Sequence, residues 1–159
     1  MADGKLTQAA NDFLTALGLD PRHPEARALA EQAKKRSAGD RARELYDRAL
    51  AAEAMGGRAA ALAAFREAAE TDQANPRYAA AASRMVLEAG ELEDARALAE
   101  QAVRAGPRDA RAFEALGAVL QAQGLPREAR RALERALDLD PALETARGLL
   151  KKLRWSFLG

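Results

Sequence analysis

Apolar residues along most of this chain recur at steps of three and four, the spacing that gathers them on one face of an α-helix. Phe113, Leu116 and Leu120 form one such set, and Ala129, Leu133, Ala136 and Leu137 form the next. Glycines and prolines punctuate the sets. The pattern predicts nine helices, at 5–18, 24–36, 41–55, 58–71, 76–89, 92–105, 110–123, 126–139 and 142–155. Asn75 ahead of Pro76 and Asp140 ahead of Pro141 each pair an N-cap acceptor with a proline at the first helical position, where its missing N–H is no loss. Asp40 and Asp109 are further cap candidates, and Gly106-Pro107 closes the helix before Asp109.

The helices repeat in pairs. Sliding the chain against itself by 34 residues aligns Gly56 with Gly90 and Gly124, Ala61 with Ala95 and Ala129, Ala68 with Ala102 and Ala136, and Arg43 with Arg77 and Arg111. Larger side chains share columns too: Leu45, Ala79 and Phe113; Phe65, Ala99 and Leu133. Each unit is a helical hairpin turning at the column glycine, which enters the left-handed conformation without a Cβ penalty. A single hairpin cannot bury its own apolar face, so such units stack. The division is a degenerate pair at 1–41, repeats at 42–75, 76–109 and 110–143, and a capping helix with an apolar tail at 144–159.

Composition strengthens the all-α reading. Alanine and leucine dominate, isoleucine is absent, and valine and threonine are scarce, so little is available to cover a pleated sheet. Twenty-five Lys and Arg against 24 Asp and Glu leave a net charge of +1, with no global field to draw nucleic acid or an anionic membrane. The runs Lys34-Lys35-Arg36 and Arg127, Arg130, Arg131, Arg135 read as helix-end and salt-bridged surface charge, without aromatic interleaving for base stacking. No apolar run is long enough to insert in a membrane. Absence of cysteine excludes disulfides and thiolate metal sites and is compatible with a reducing, cytoplasmic setting.

Enzyme chemistry finds no foothold in the sequence. His23 is the only histidine and lies in a helix-start turn, so neither a His-based triad nor a His metal cluster can be assembled. The three serines lack a nucleophile elbow, Gly56-Gly57 is a hairpin turn, and Glu91, Glu93 and Asp94 gather at a helix start where the dipole favours them. The expectation is a non-enzymatic chain without a cofactor.

The series Phe113, Leu116, Gly117, Leu120, Gly124, Ala129, Leu133, Ala136, Asp140, Pro141 resembles the tetratricopeptide repeat. Unit 110–143 follows that pattern nearly throughout. Unit 76–109 carries Ala82 and Ser83 where the pattern favours leucine and glycine, and unit 42–75 has Arg48 and Gln73 in the columns of Leu116 and Pro141. The resemblance implies a superhelical solenoid of antiparallel helix pairs whose first helices line a concave, partner-binding groove. On this chain that face presents Arg43, Tyr46, Leu50 and Glu53; Arg77, Ala80, Arg84, Leu87 and Glu88; Arg111, Glu114, Ala118 and Gln121.

Two fates are open to the recurring arginines Arg43, Arg77 and Arg111: to grip an acidic peptide, or to pair with local acids such as Glu44, Asp47 and Glu114. Family members that hold chaperone carboxyl termini use asparagines in a two-carboxylate clamp, and the corresponding places here carry Tyr46, Leu50 and Ala81. The expected function is therefore an adaptor binding a protein or peptide partner of acidic or amphipathic character, with no role for nucleic acid. The alternatives are a chaperone for an apolar client segment and a scaffolding or oligomerising portion of a larger protein. The ending Trp155, Phe157, Leu158 is either folded back on the cap helix or a docking and self-association tail.

Overall fold

The computed structural model describes residues 23–156, preceded by the isolated positions 8, 11, 12, 15 and 18. Within them the chain forms α1 (Pro24–Ala54), α2 (Arg58–Thr71), α3 (Pro76–Glu88), α4 (Leu92–Ala105), α5 (Ala110–Ala122), α6 (Pro126–Leu139) and α7 (Glu144–Ser156). No strand occurs among the described residues. The expected helix at 5–18 falls largely outside them.

Turn chemistry sets the hairpins. Gly56, Gly90 and Gly124 adopt φ of 77°, 85° and 73°. The residue after each glycine donates its N–H to a carbonyl five positions back: Gly57 to Ala52 at 2.8 Å, Glu91 to Val86 at 3.2 Å and Leu125 to Leu120 at 2.9 Å. Three orphan carbonyls at helix ends are satisfied in this way, and the turn direction is the same in every unit. At the other helix ends, the Asn75 side-chain oxygen accepts the Arg77 N–H at 3.1 Å and Asp109 accepts the Ala112 N–H at 2.9 Å.

Two layers result. The C-terminal half of α1, then α3, α5 and α7, form the inner layer, and α2, α4 and α6 form the outer one. The column alanines Ala61, Ala68, Ala95, Ala102, Ala129 and Ala136 are all fully buried, which lets neighbouring helix backbones approach closely. Phe65 and Leu133 fill the space between layers and are likewise inaccessible. Size is shared out across the hairpin. A Cβ on Gly117 would lie 2.6 Å from Cγ of Leu133, so the large residue on α6 requires none opposite it. One unit earlier the equivalents are Ser83 and Ala99, and the smaller Ala99 leaves room for the Ser83 hydroxyl, which donates to the Ala95 carbonyl at 2.7 Å.

Three local expectations are corrected. The helices expected at 24–36 and 41–55 are one continuous helix, α1, and the division at residue 41 falls inside it. Ser37-Ala38-Gly39-Asp40 contains no proline, and Gly39 does not take a positive φ. Carrying the helix through a glycine costs about 1 kcal/mol, less than nucleating a new one. Asp40 therefore caps nothing, and Lys34, Lys35 and Arg36 are exposed in mid-helix rather than at a helix end. Finally, Asp140-Pro141 does not start a helix. Asp140 caps the end of α6 and its side chain accepts the Ala142 N–H at 3.0 Å, so α7 begins only at Glu144.

Candidate functional site

The inner layer encloses an open groove of about 700 Å³. Its α1 end is aromatic. Tyr46 meets Phe65 edge-on at 5.4 Å between ring centroids and Tyr78 in a tilted contact at 5.3 Å. Phe65 belongs to the outer helix α2 and backs Tyr46 from behind the groove wall, with no accessible surface of its own. Leu50 is 40% exposed beside this cluster. Further along, Ala80, Ala81, Ala115 and Ala118 form a floor of methyl groups, and Leu143, Leu149 and Lys152 bring in the α7 side.

Of the thirteen residues expected on the groove face, nine line this one cavity: Tyr46, Leu50, Arg77, Ala80, Arg84, Leu87, Arg111, Glu114 and Ala118; Glu53, Glu88 and Gln121 do not. Nor does Arg43; it is exposed outside the cavity. Of the expected tail, Trp155 lies in the helical backbone of α7 but its side chain is outside the described residues, as are Phe157 and Leu158. Leu153 is buried and Leu149 and Leu150 pack on the terminal core cluster.

Sequence reasoning missed the α7 wall. Continuing the 34-residue offset one step further places Thr145 after Arg111, Gly148 after Glu114 and Lys152 after Ala118, all three of which line the groove. α7 is thus both a cap and the inner helix of one more unit.

The arginines have separate fates. Arg77 stacks over the Tyr46 ring, its guanidinium carbon 4.7 Å from the centroid, and forms no ion pair among the described residues. Arg84 is neutralised by Glu53 at 2.8 Å and by Glu88 at 3.1 Å. Arg43 and Arg111 have no ion-pair partner among the described residues, so, of the two fates open to them, the pairing with Glu44, Asp47 or Glu114 is not formed. On the outer surface, Arg130 pairs with Glu134 at 2.7 Å and Arg135 lies 6.0 Å from the Phe113 ring centroid, which accounts for two of the four arginines of that run.

The Arg84 hydrogen bond holds the Glu53 carboxyl below its ordinary value, opposed by partial burial, and the Glu53 carboxylate in turn raises Arg84. A carboxyl whose folded value is depressed stabilises the fold above its unfolded value and loses that contribution as pH falls through the folded one. Glu53→Gln is accordingly expected to lower stability at neutral pH by no more than about 1 kcal/mol, because the pair is half exposed. The difference from wild type should vanish as urea titrations are moved down through the acidic carboxylate range. A difference that grows on acidification would contradict this assignment.

Stacked antiparallel helix pairs around an inner groove make this chain a helical-repeat solenoid. Residues 110–143 match the family described as Tetratricopeptide repeat, and the fold is that of tetratricopeptide-repeat domains. Among solved structures, the TPR domain of Arabidopsis OM64 is 21% identical with a TM-score of 0.68, over 75% of this chain and 98% of that one. The first TPR of Spaghetti (RPAP3), bound to the HSP90 peptide SRMEEVD, is 20% identical with a TM-score of 0.69, over 76% and 98% of the two chains. The O-GlcNAc transferase of Thermobaculum terrenum is 24% identical with a TM-score of 0.67, over 73% of this chain but 22% of the enzyme. A search of curated protein sequences finds no match. No helix among the described residues is long and apolar enough to cross a membrane.

Proposed function

We propose that this chain is a non-enzymatic interaction adaptor whose inner groove binds a segment of a partner protein. One observation carries the reading: one open cavity of about 700 Å³ is lined by residues from α1, α3, α5 and α7, with apolar groups and charged heads side by side in its wall. Such a surface combines apolar contact with charge-based selectivity, as peptide-recognition grooves do. Solved domains of the same fold hold peptides: the first TPR of Spaghetti (RPAP3) an HSP90 peptide, and the second TPR domain of human RPAP3 the HSP70 peptide SGPTIEEVD. Tyr46, Leu50 and Ala81 stand where the clamp pattern calls for other residues, so a different class of segment is proposed here. Arg77, Arg111, Glu114 and Lys152 on the lining favour a selective adaptor over a chaperone for purely apolar segments.

Peptides selected on the full chain from a random display library test this reading. Ala118→Trp fills the groove from a half-buried position, and it is expected to weaken the selected peptides at least about tenfold while the circular dichroism melt is retained. Equal binding to both proteins would move the site off the groove and remove the proposal.

A further inference from the structure

We infer that the segment held in this groove is an α-helix with an aliphatic face and acidic flanks, an inference that rests on the groove being the binding surface.

The first argument is hydrogen bonding. The floor residues Ala80, Ala81, Ala115 and Ala118 lie within α3 and α5, where main-chain groups are already bonded along the helix. The lining contains no asparagine or glutamine side chain, and its side-chain acceptors are Glu114 and the hydroxyls of Tyr46 and Thr145. An extended segment brings one N–H and one C=O per residue to this surface, and acceptors for its N–H groups are scarce. A helix arrives with its own backbone satisfied. Alanine floors also admit a helix closely, since small side chains set the near end of helix–helix separations.

The second argument is shape and chemistry along the groove. Leu50, Leu87 and the edge of Tyr46 offer apolar contact at the α1 and α3 end, suited to aliphatic anchors repeating at helical spacing.

Charge is the third. Arg84 is committed to Glu53 and Glu88, leaving Arg77, Arg111 and Lys152 without an ion-pair partner among the described residues against one unpaired acid, Glu114. Three cations without an ion pair, against one such acid, select acidic residues beside the anchors and disfavour basic ones.

Fluorescence anisotropy with three labelled synthetic peptides on the full chain tests the inference. The first probe is a helix-forming peptide with leucines at successive i, i+3, i+4 and i+7 positions and glutamates on its flanks. The second replaces two central flank residues with proline, and the third replaces every glutamate with lysine. Tightest binding is expected for the first, with the proline and lysine peptides at least about tenfold weaker. Arg111→Glu combined with Lys152→Glu is expected to invert the preference between the glutamate and lysine peptides. A proline peptide that binds as tightly as its parent overturns the helical mode, and a lysine peptide that does so overturns the acidic flank. Failure of all three probes overturns the inference as a whole. Library-selected peptides that remain sensitive to Ala118→Trp would then show that the groove binds a segment of another class, so the two readings fail separately.

Discussion

Phe65→Ala is expected to destabilise the protein by about 3–5 kcal/mol, the usual cost of truncating a fully buried aromatic side chain. Phe65 is fully inaccessible, and its removal leaves a cavity that the fixed α1–α2 hairpin cannot close. The damage should not stay in the core. Phe65 braces Tyr46 edge-on at 5.4 Å, and Tyr46 carries the Arg77 guanidinium on its face at 4.7 Å. Loss of the phenyl ring therefore loosens the aromatic end of the groove as well. Because a solenoid is held by contacts between neighbouring units, hydrogen exchange should accelerate most in α1, α2 and α3 and less in α6 and α7. Phe65→Leu serves as a control, expected to cost ~1 kcal/mol, since Leu133 fills the same column two units on. Equal denaturation midpoints for wild type and the alanine variant would show that this ring does not hold the layers together.

Gly117→Ser is expected to cost about 1–3 kcal/mol through overpacking, although serine occupies the equivalent position one unit earlier. The new Cβ would lie 2.6 Å from Cγ and 2.7 Å from Cδ2 of Leu133, a side chain without accessible surface. Ser83 is tolerated because the residue across from it is Ala99. Leu133→Ala alone is expected to cost about 2–5 kcal/mol as a cavity. The double variant reproduces the Ser83 and Ala99 combination, so it should be more stable than the sum of the two single effects, with a coupling energy of about 1–3 kcal/mol. Urea denaturation of the four proteins in the cycle measures it. Additive costs would mean that Gly117 and Leu133 do not share one volume.

Much of this was legible in the chain itself. The glycine column predicts three hairpin turns, and all three take positive φ with the same carbonyl capping. Asn75 and Asp109 cap helices as their spacing implies, since capping depends only on residues two or three positions away. Local signals misled at two places. Asp40 has the side chain of a cap, but nothing around it stops a helix, so α1 runs through. Asp140 caps from the C-terminal side of α6 instead of opening α7. In both cases the side chain's preference is compatible with more than one backbone path.

The groove was partly legible. Repeat columns identify the inner face of α3 and α5, whereas the part played by Phe65 depends on Tyr46 standing across from it on α1. The part played by α7 was visible in the offset but masked by its reading as a simple cap. Arg43, Arg77 and Arg111 occupy one column and end differently, and Arg84, outside that column, is the one neutralised. Glu53, its partner, lies 31 residues away in sequence and one helix away in space.

What the amino-acid sequence determined by itself is therefore the period, the helical hairpin, the turns and the buried alanine columns. Each depends on side chains within a turn or two of one another, or on a spacing repeated identically down the chain. What only the tertiary structure decided is which charges lack an ion pair, which outer-layer ring backs the groove, and where α7 adds to the groove wall. Those outcomes depend on distances between helices, and short-range spacing places a residue on a helix face without stating what stands across from it.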